Sequence, residues 1–166
     1  MRNCFITALF LALLIPSVSF AEMPREEMYV GGVGAGCTLG YVREIYGEPD
    51  DVRYFSGEGI KSISYIYSDG FSISGRVFSR DERPEEDYVV VGFKLSDPDL
   101  ATPSGIRVGM SYWDDVVSKF GEGKRFISFS DELMYIYKGD RMMSFSFVLD
   151  DDDEDTIIGI HQGTDW

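Results

Sequence analysis

The chain carries one pattern twice, and this repetition restricts its fold more than any other feature. Val42 to Glu48 aligns with Val116 to Glu122, each ending a helical pattern on an aromatic residue followed by Gly-Glu. Tyr65-Ile66-Tyr67 matches Tyr135-Ile136-Tyr137, and Phe71 to Phe78 matches Met142 to Leu149. Asp87 to Phe93 matches Asp155 to Ile160 with one residue fewer. One such block arises easily by chance, whereas four in the same order indicate a tandem duplication.

Each copy reads as a short helix followed by strands. In the first, Thr38 is a predicted N-cap for a stripe of Leu39, Val42, Ile45 and Tyr46, with Gly47 and Pro49 as stop signals. In the second, Ser111 and Asp114 resemble a capping box before Tyr112, Trp113, Val116, Val117 and Phe120, closed by Gly121. Helices this short need a sheet to lie on. The strands alternate with period two. Ile63, Tyr65 and Tyr67 share a face, Phe71, Ile73 and Val77 oppose Ser72, Ser74 and Arg76, and Met143, Phe145, Phe147 and Leu149 oppose Ser144 and Ser146. That pattern predicts an antiparallel sheet with one face on the core and one wet. Ser68-Asp69-Gly70 and Lys138-Gly139-Asp140 are the expected hairpin turns, and residues 51–55 and 125–129 are expected weaker first strands. The predicted class is therefore α+β: two tandem helix-plus-antiparallel-sheet repeats with the helices on one face of a joined sheet.

The expected organisation is a signal peptide over 1–21, repeat 1 over 22–95, a Pro- and Asp-rich linker over 96–104 and repeat 2 over 105–166. Arg2 opens a short basic start, Phe5 to Ile15 is apolar but for one Thr, and Ser19-Phe20-Ala21 supplies small residues for cleavage after Ala21. The apolar run is shorter than the roughly 20 residues that cross a bilayer, so no membrane span is expected after cleavage. The expected location is secreted or periplasmic. Cys4 would leave with the leader and Cys37 would stand alone, so no internal disulfide is expected. Cys37 reads as a small buried residue near a helix start.

With 29 acidic and 15 basic residues the chain has a formal charge of −14. That balance argues against nucleic acid, whose binding needs clustered Lys and Arg, and against an anionic membrane surface. The acids concentrate in two equivalent loops, Arg80 to Asp87 and Asp150 to Asp155. The second could attract Ca²⁺ through its carboxylates, but EF-hand spacing is missing and a solvated loop accounts for it. No metal site is expected. The Gly run from Gly31 to Gly36 does not fit dinucleotide spacing and reads as a flexible lead-in to the first helix. No cofactor is expected.

Catalysis by a nucleophile and base would have to use His161, the lone His. His161 aligns instead with Lys94 of the first copy, as a polar residue on the wet face. Tyr65, Tyr67, Tyr135, Tyr137 and Trp113 are read as core, with a recognition surface as the alternative. The wet face carries Ser72, Ser74, Arg76, Lys94, Ser144, Ser146 and His161, the candidate partner-binding residues.

A capped helix, then Val, aromatic-Gly-Glu-Pro, Tyr-x-Tyr and alternating strands, given twice, resembles the beta-lactamase inhibitory protein-like repeat (BLIP-like), related to the single-copy BamE/SmpA domain of an outer-membrane assembly lipoprotein. The matching residues are Thr38, Val42, Tyr46, Gly47, Pro49, Tyr65 and Tyr67 in copy one. In copy two they are Ser111, Val116, Phe120, Gly121, Tyr135 and Tyr137. The resemblance covers nearly all of Gly34 to Gln162. It implies helices packed on one face of tandem sheets joined side by side, and a non-enzymatic role through the open face. Gly123 stands where the pattern has Pro, and the inhibitor's disulfides and the lipoprotein's lipid-attachment Cys are absent, so neither specific activity transfers. The expectation is an exported protein-binding module whose partner is another exported or envelope protein. The alternative is a cell-envelope assembly or structural accessory factor of BamE/SmpA type.

Overall fold

The computed structural model describes residues 21–67, 70–139 and 143–164. Residues 1–20 of the expected leader (1–21) lie outside them, as do Ser68, Asp69 and Asp140 of the expected turns. Ten strands, two short helices and two single 3₁₀ turns (Arg25–Glu27 and Glu85–Asp87) occur among the described residues. In chain order the strands and helices are β1 (Tyr29–Val30), β2 (Val33–Gly34), α1 (Leu39–Tyr46), β3 (Asp51–Gly57), β4 (Ile60–Tyr67), β5 (Phe71–Phe78) and β6 (Val89–Leu95). After these come a π-helical turn (Tyr112–Val117) running into α2 (Ser118–Phe120), then β7 (Lys124–Ile127), β8 (Leu133–Lys138), β9 (Met143–Leu149) and β10 (Ile157–Thr164).

The protein is mostly β, which corrects the α+β expectation. Strands β3 to β10 form one antiparallel sheet in the order β3-β4-β5-β6-β10-β9-β8-β7, and α1 and the π turn are too short to make a helical layer over it. Much of the core cover comes instead from the short β1–β2 hairpin and irregular segments. Met28, Val30, Val33 and Ile106, from segments rich in Gly and Pro that cannot hold a helix, are fully buried beside Leu39, Val42, Tyr112 and Val116.

Local signals still operate. Thr38 Oγ1 accepts from the Tyr41 N–H at 3.2 Å, and Gly47 ends α1 at φ 79°. Leu39 and Val42 are buried, but Ile45 of the expected stripe is 43% exposed. Ser111 Oγ accepts from the Asp114 N–H at 3.0 Å. The return bond to the Ser111 N–H comes from Asp115 at 3.2 Å, one residue later than expected, because the first turn is a wide π turn. Trp113 stays 41% exposed, its ring edge against Tyr112 and Tyr135.

The repeated Tyr-x-Tyr gains a concrete role. Tyr67 OH donates to the Gly47 carbonyl at 3.2 Å, and Tyr137 OH donates to that of Gly121 at 2.7 Å. In each half the second Tyr thus ties a central strand to the glycine that ends the helix. In the second half Tyr112 OH also contacts Tyr137 OH at 2.9 Å and accepts from the Gly123 N–H at 3.0 Å. Tyr137 and Tyr112 are fully buried, and Tyr65 and Tyr135 nearly so.

The Gly run is structured, not a flexible lead-in. Gly31 and Gly32, at φ 55° and 85°, form the two-residue turn of the β1–β2 hairpin. Positive φ at both positions matches the twist of a tight hairpin and favours Gly. Gln162 of β10 clamps this hairpin to the sheet. Its Oε1 accepts from the Ala35 N–H at 2.8 Å and its Nε2 donates to the Met28 carbonyl at 2.7 Å, all buried. Gln162→Leu strands both backbone groups, each costing about 1–3 kcal/mol. We expect the urea midpoint to fall by an amount equivalent to roughly 3 kcal/mol. An unchanged midpoint would refute the clamp.

Candidate functional site on the open sheet face

Period two places alternate side chains of every strand on the face away from the core, and the register aligns them into rows. One row crosses all eight strands: Asp51↔Ile66↔Ser72↔Lys94↔His161↔Ser146↔Ile136↔Lys124. Its centre contains four of the seven residues singled out from the sequence. Ser74 and Arg76 lie on the same face of β5, and Ser144 on that of β9, opposite Lys138. The structure thus brings all seven onto one face. Ser146 differs from the expected wet residue in being buried (7% exposed).

Two adjoining hollows lie along the first half and the seam between β6 and β10. One, of about 450 Å³, is lined by Arg53, Ser72, Lys94, Glu132 and His161 among others. The other, of about 480 Å³, is lined by Arg53, Ser64, Ser72, Ser74, Arg76 and Lys94, with Gly92 in its wall. Arg53, Ile66, Ser72 and Lys94 border both. Ser64 Oγ and Ser74 Oγ bond each other at 2.7 Å. Arg53 was absent from the sequence-derived set, because β3 read as a weak strand with no assignable face. Its pairing to Ser64 puts it over the hollows.

Electrostatics distinguish this face from the rest of the chain. Arg53, Arg76, Lys94, Lys124 and Lys138 project from it, against Asp51 and Glu132. The Asp51–Arg53 pair, at 3.3 Å, is well exposed on both sides, and such pairs contribute little. The His161 imidazole is pushed down to about 4 by burial and by the neighbouring Lys94 ammonium, with Glu132 pulling the other way. It is therefore neutral near pH 7.

The acidic loop after β9 has a structural use. Asp155 Oδ1 accepts from Ser111 Oγ at 2.8 Å and from the Trp113 N–H at 3.1 Å, capping the π turn. Asp153 accepts from the Asp155 and Thr156 N–H groups and from Thr156 Oγ1, which holds its carboxyl below the ordinary range. Asp150 Oδ1 accepts from the Asp152 N–H. The carboxylates serve backbone donors, and among the described residues no His, Cys, Asp and Glu group converges as a metal site. Cys37 is half-buried against the core, away from the open face.

No protein-family model matches the chain, and no curated protein matches it. Solved structures that resemble it include an extracellular protein containing a SCP domain from Bacillus anthracis, at 14% identity and TM-score 0.49, over 79% of this chain and 44% of that one. The chain thus spans less than half of that protein's length. The uncharacterized protein yfeY from Escherichia coli matches at 13% identity and TM-score 0.48, over 84% and 97% of the two chains. A candidate beta-lactamase inhibitor protein from Streptococcus mutans matches at 14% identity and TM-score 0.32, over 87% and 92%. These likenesses assign the chain to no family. Among the described residues no helix is long and apolar enough to cross a membrane.

Two outcomes follow from this geometry. Asp155→Ala removes a helix cap and should cost about 1 kcal/mol in urea unfolding, while Asp151→Asn, at an exposed loop position, should be neutral; equal effects would refute the capping role. The folded state holds His161 at about 4, below the ordinary value of 6.5, so between these values the unfolded chain binds more protons. Stability contributed by neutral His161 is then complete above about pH 6.5 and falls as the pH drops toward 4, by roughly 2–3 kcal/mol. His161→Asn should flatten that part of the stability curve, and the single imidazole signal in NMR should titrate near 4. Titration near 6.5 would contradict the half-buried, Lys94-flanked setting.

Proposed function

We propose that the protein is an exported, non-enzymatic binding module of the beta-lactamase inhibitory protein-like type, docking another exported or envelope protein on the open face of its sheet. The carrying observation is the polar row Ser72↔Lys94↔His161↔Ser146, continuous across the β6–β10 seam, with the two hollows beside it. Exposed Phe55 and Phe78, 62% and 68% accessible, share this face of the first half. Aromatic and Arg side chains around a concave polar centre are the composition of protein-recognition surfaces. The tandem division at residues 96–104 belongs to the same proposal, with each copy supplying half of the face.

A non-enzymatic role is favoured by the chemistry of the one imidazole. A general base works best when poised near the operating pH, whereas burial and Lys94 hold His161 at about 4. Cys37, packed against the core, is not placed to share a substrate with it.

The face can be blocked sterically without altering its charge. Ser72→Trp sets a large ring on the row and Ser144→Trp sets one beside it on the same face, while leaving every cation in place. We expect these variants to keep the wild-type melting temperature and to lose a partner captured from secreted or envelope fractions by the wild-type chain. Undiminished capture by both variants would place the binding surface elsewhere.

A further inference from the structure

The net charge of −14 conceals a face of opposite sign. The hollow of about 480 Å³ has Arg53, Arg76 and Lys94 as its charged lining residues, with Ser64, Ser72 and Ser74 between them. Lys94 and Arg53 are exposed, and Arg53 pairs with Asp51, two residues away on the same strand, at 3.3 Å in a well-exposed setting. The neighbouring hollow differs in containing Glu132, so the segregation of charge is local to one cavity. Cations gathered around a concavity attract an anion more strongly than the same charges spread over a convex surface.

From this we infer that the open face takes an acidic segment of a partner protein, with an Asp or Glu carboxylate seated among Arg53, Arg76 and Lys94 and flanking apolar side chains on Phe55, Phe78 and Ile66. The inference rests on the proposed binding role and specifies the chemistry of the partner. Arg53 and Arg76 offer planar donor forks that suit a carboxylate, Lys94 adds a point charge, and the serine hydroxyls can donate to remaining lone pairs. A protein segment fits better than a continuous polyanion. The cations occupy one cavity among serines and apolar residues, not a track, and the remainder of the chain is strongly acidic, so a long nucleic acid or sulfated polysaccharide meets net repulsion outside the hollow.

Single-residue acidity of the ligand is testable without knowing the partner. A display library of random dodecapeptides is selected on the full chain and, in parallel, on Arg53→Gln/Lys94→Gln, which removes charge with little change in volume. We expect peptides selected on wild type to be enriched in Asp or Glu beside an aromatic or aliphatic residue. We expect the best of them to bind the double variant about tenfold more weakly. Replacing the peptide's own acidic residue with its amide should weaken binding equally, and adding the replacement to the variant should cost little more. On binding the acidic peptide, the single imidazole signal of His161 should shift, because Lys94 lies opposite it in register. Selection without acidic enrichment, equal enrichment on the double variant, or retention of heparin and oligonucleotides in place of peptides would each overturn the inference. Its failure is separable from that of the binding role. If the Trp variants abolish partner capture while Arg53→Gln/Lys94→Gln does not, the face binds a partner but not through an acidic segment.

Discussion

The pairing of β6 with β10 is the contact on which the structure depends. Leu95, Lys94 and Phe93 face Ile160, His161 and Gln162, and through these few residues two four-stranded arrays become one eight-stranded sheet. The strands approach closely there. A Cβ added to Gly92 would lie 2.4 Å from the Gln162 carbonyl oxygen, so a side chain at that position would force the two backbones apart. Antiparallel edges left unpaired here would expose backbone donors and acceptors, and the seam removes both at once.

The seam also organises each layer of the molecule. On the core side, Phe93 packs edge-on against Phe145 across it, joining the aromatic clusters of the two halves. Gln162 reaches from the seam into the cover layer and holds the β1–β2 hairpin by both ends of its amide. On the open side, the same register brings Lys94 beside His161, where it adds to the effect of burial in depressing the imidazole. One set of backbone hydrogen bonds therefore couples core packing, placement of the amino-terminal hairpin and the electrostatics of the face.

Much of the strand layer was legible because its signal is local. Phe71 to Val77 and Met143 to Leu149 alternate with little interruption, so the faces of β5 and β9 follow from period two alone. Thr38, Gly47, Ser111 and Gly121 acted as caps and stops because capping needs only neighbouring backbone. The α+β expectation failed where cover came from elsewhere. Met28, Val33 and Ile106 sit in segments without periodicity, and their burial follows from long-range packing. The Gly31-Gly32 hairpin was missed because its strands are only two residues each, too short to show alternation.

By itself, the sequence determined that a pattern recurs, that strands alternate, and that Ser72, Ser74, Arg76, Lys94, Ser144, Ser146 and His161 share a polar side. These properties are encoded within a few residues of each position. Only the tertiary structure decided which strands are neighbours, and with that which charges meet. Arg53, Arg76 and Lys94 lie far apart in the chain and on different strands, β3, β5 and β6, yet they border one hollow because β3 to β6 lie side by side. Charge summed along a chain has no direction. Folding onto a two-faced sheet gives it one, and so a strongly acidic protein presents a cationic surface.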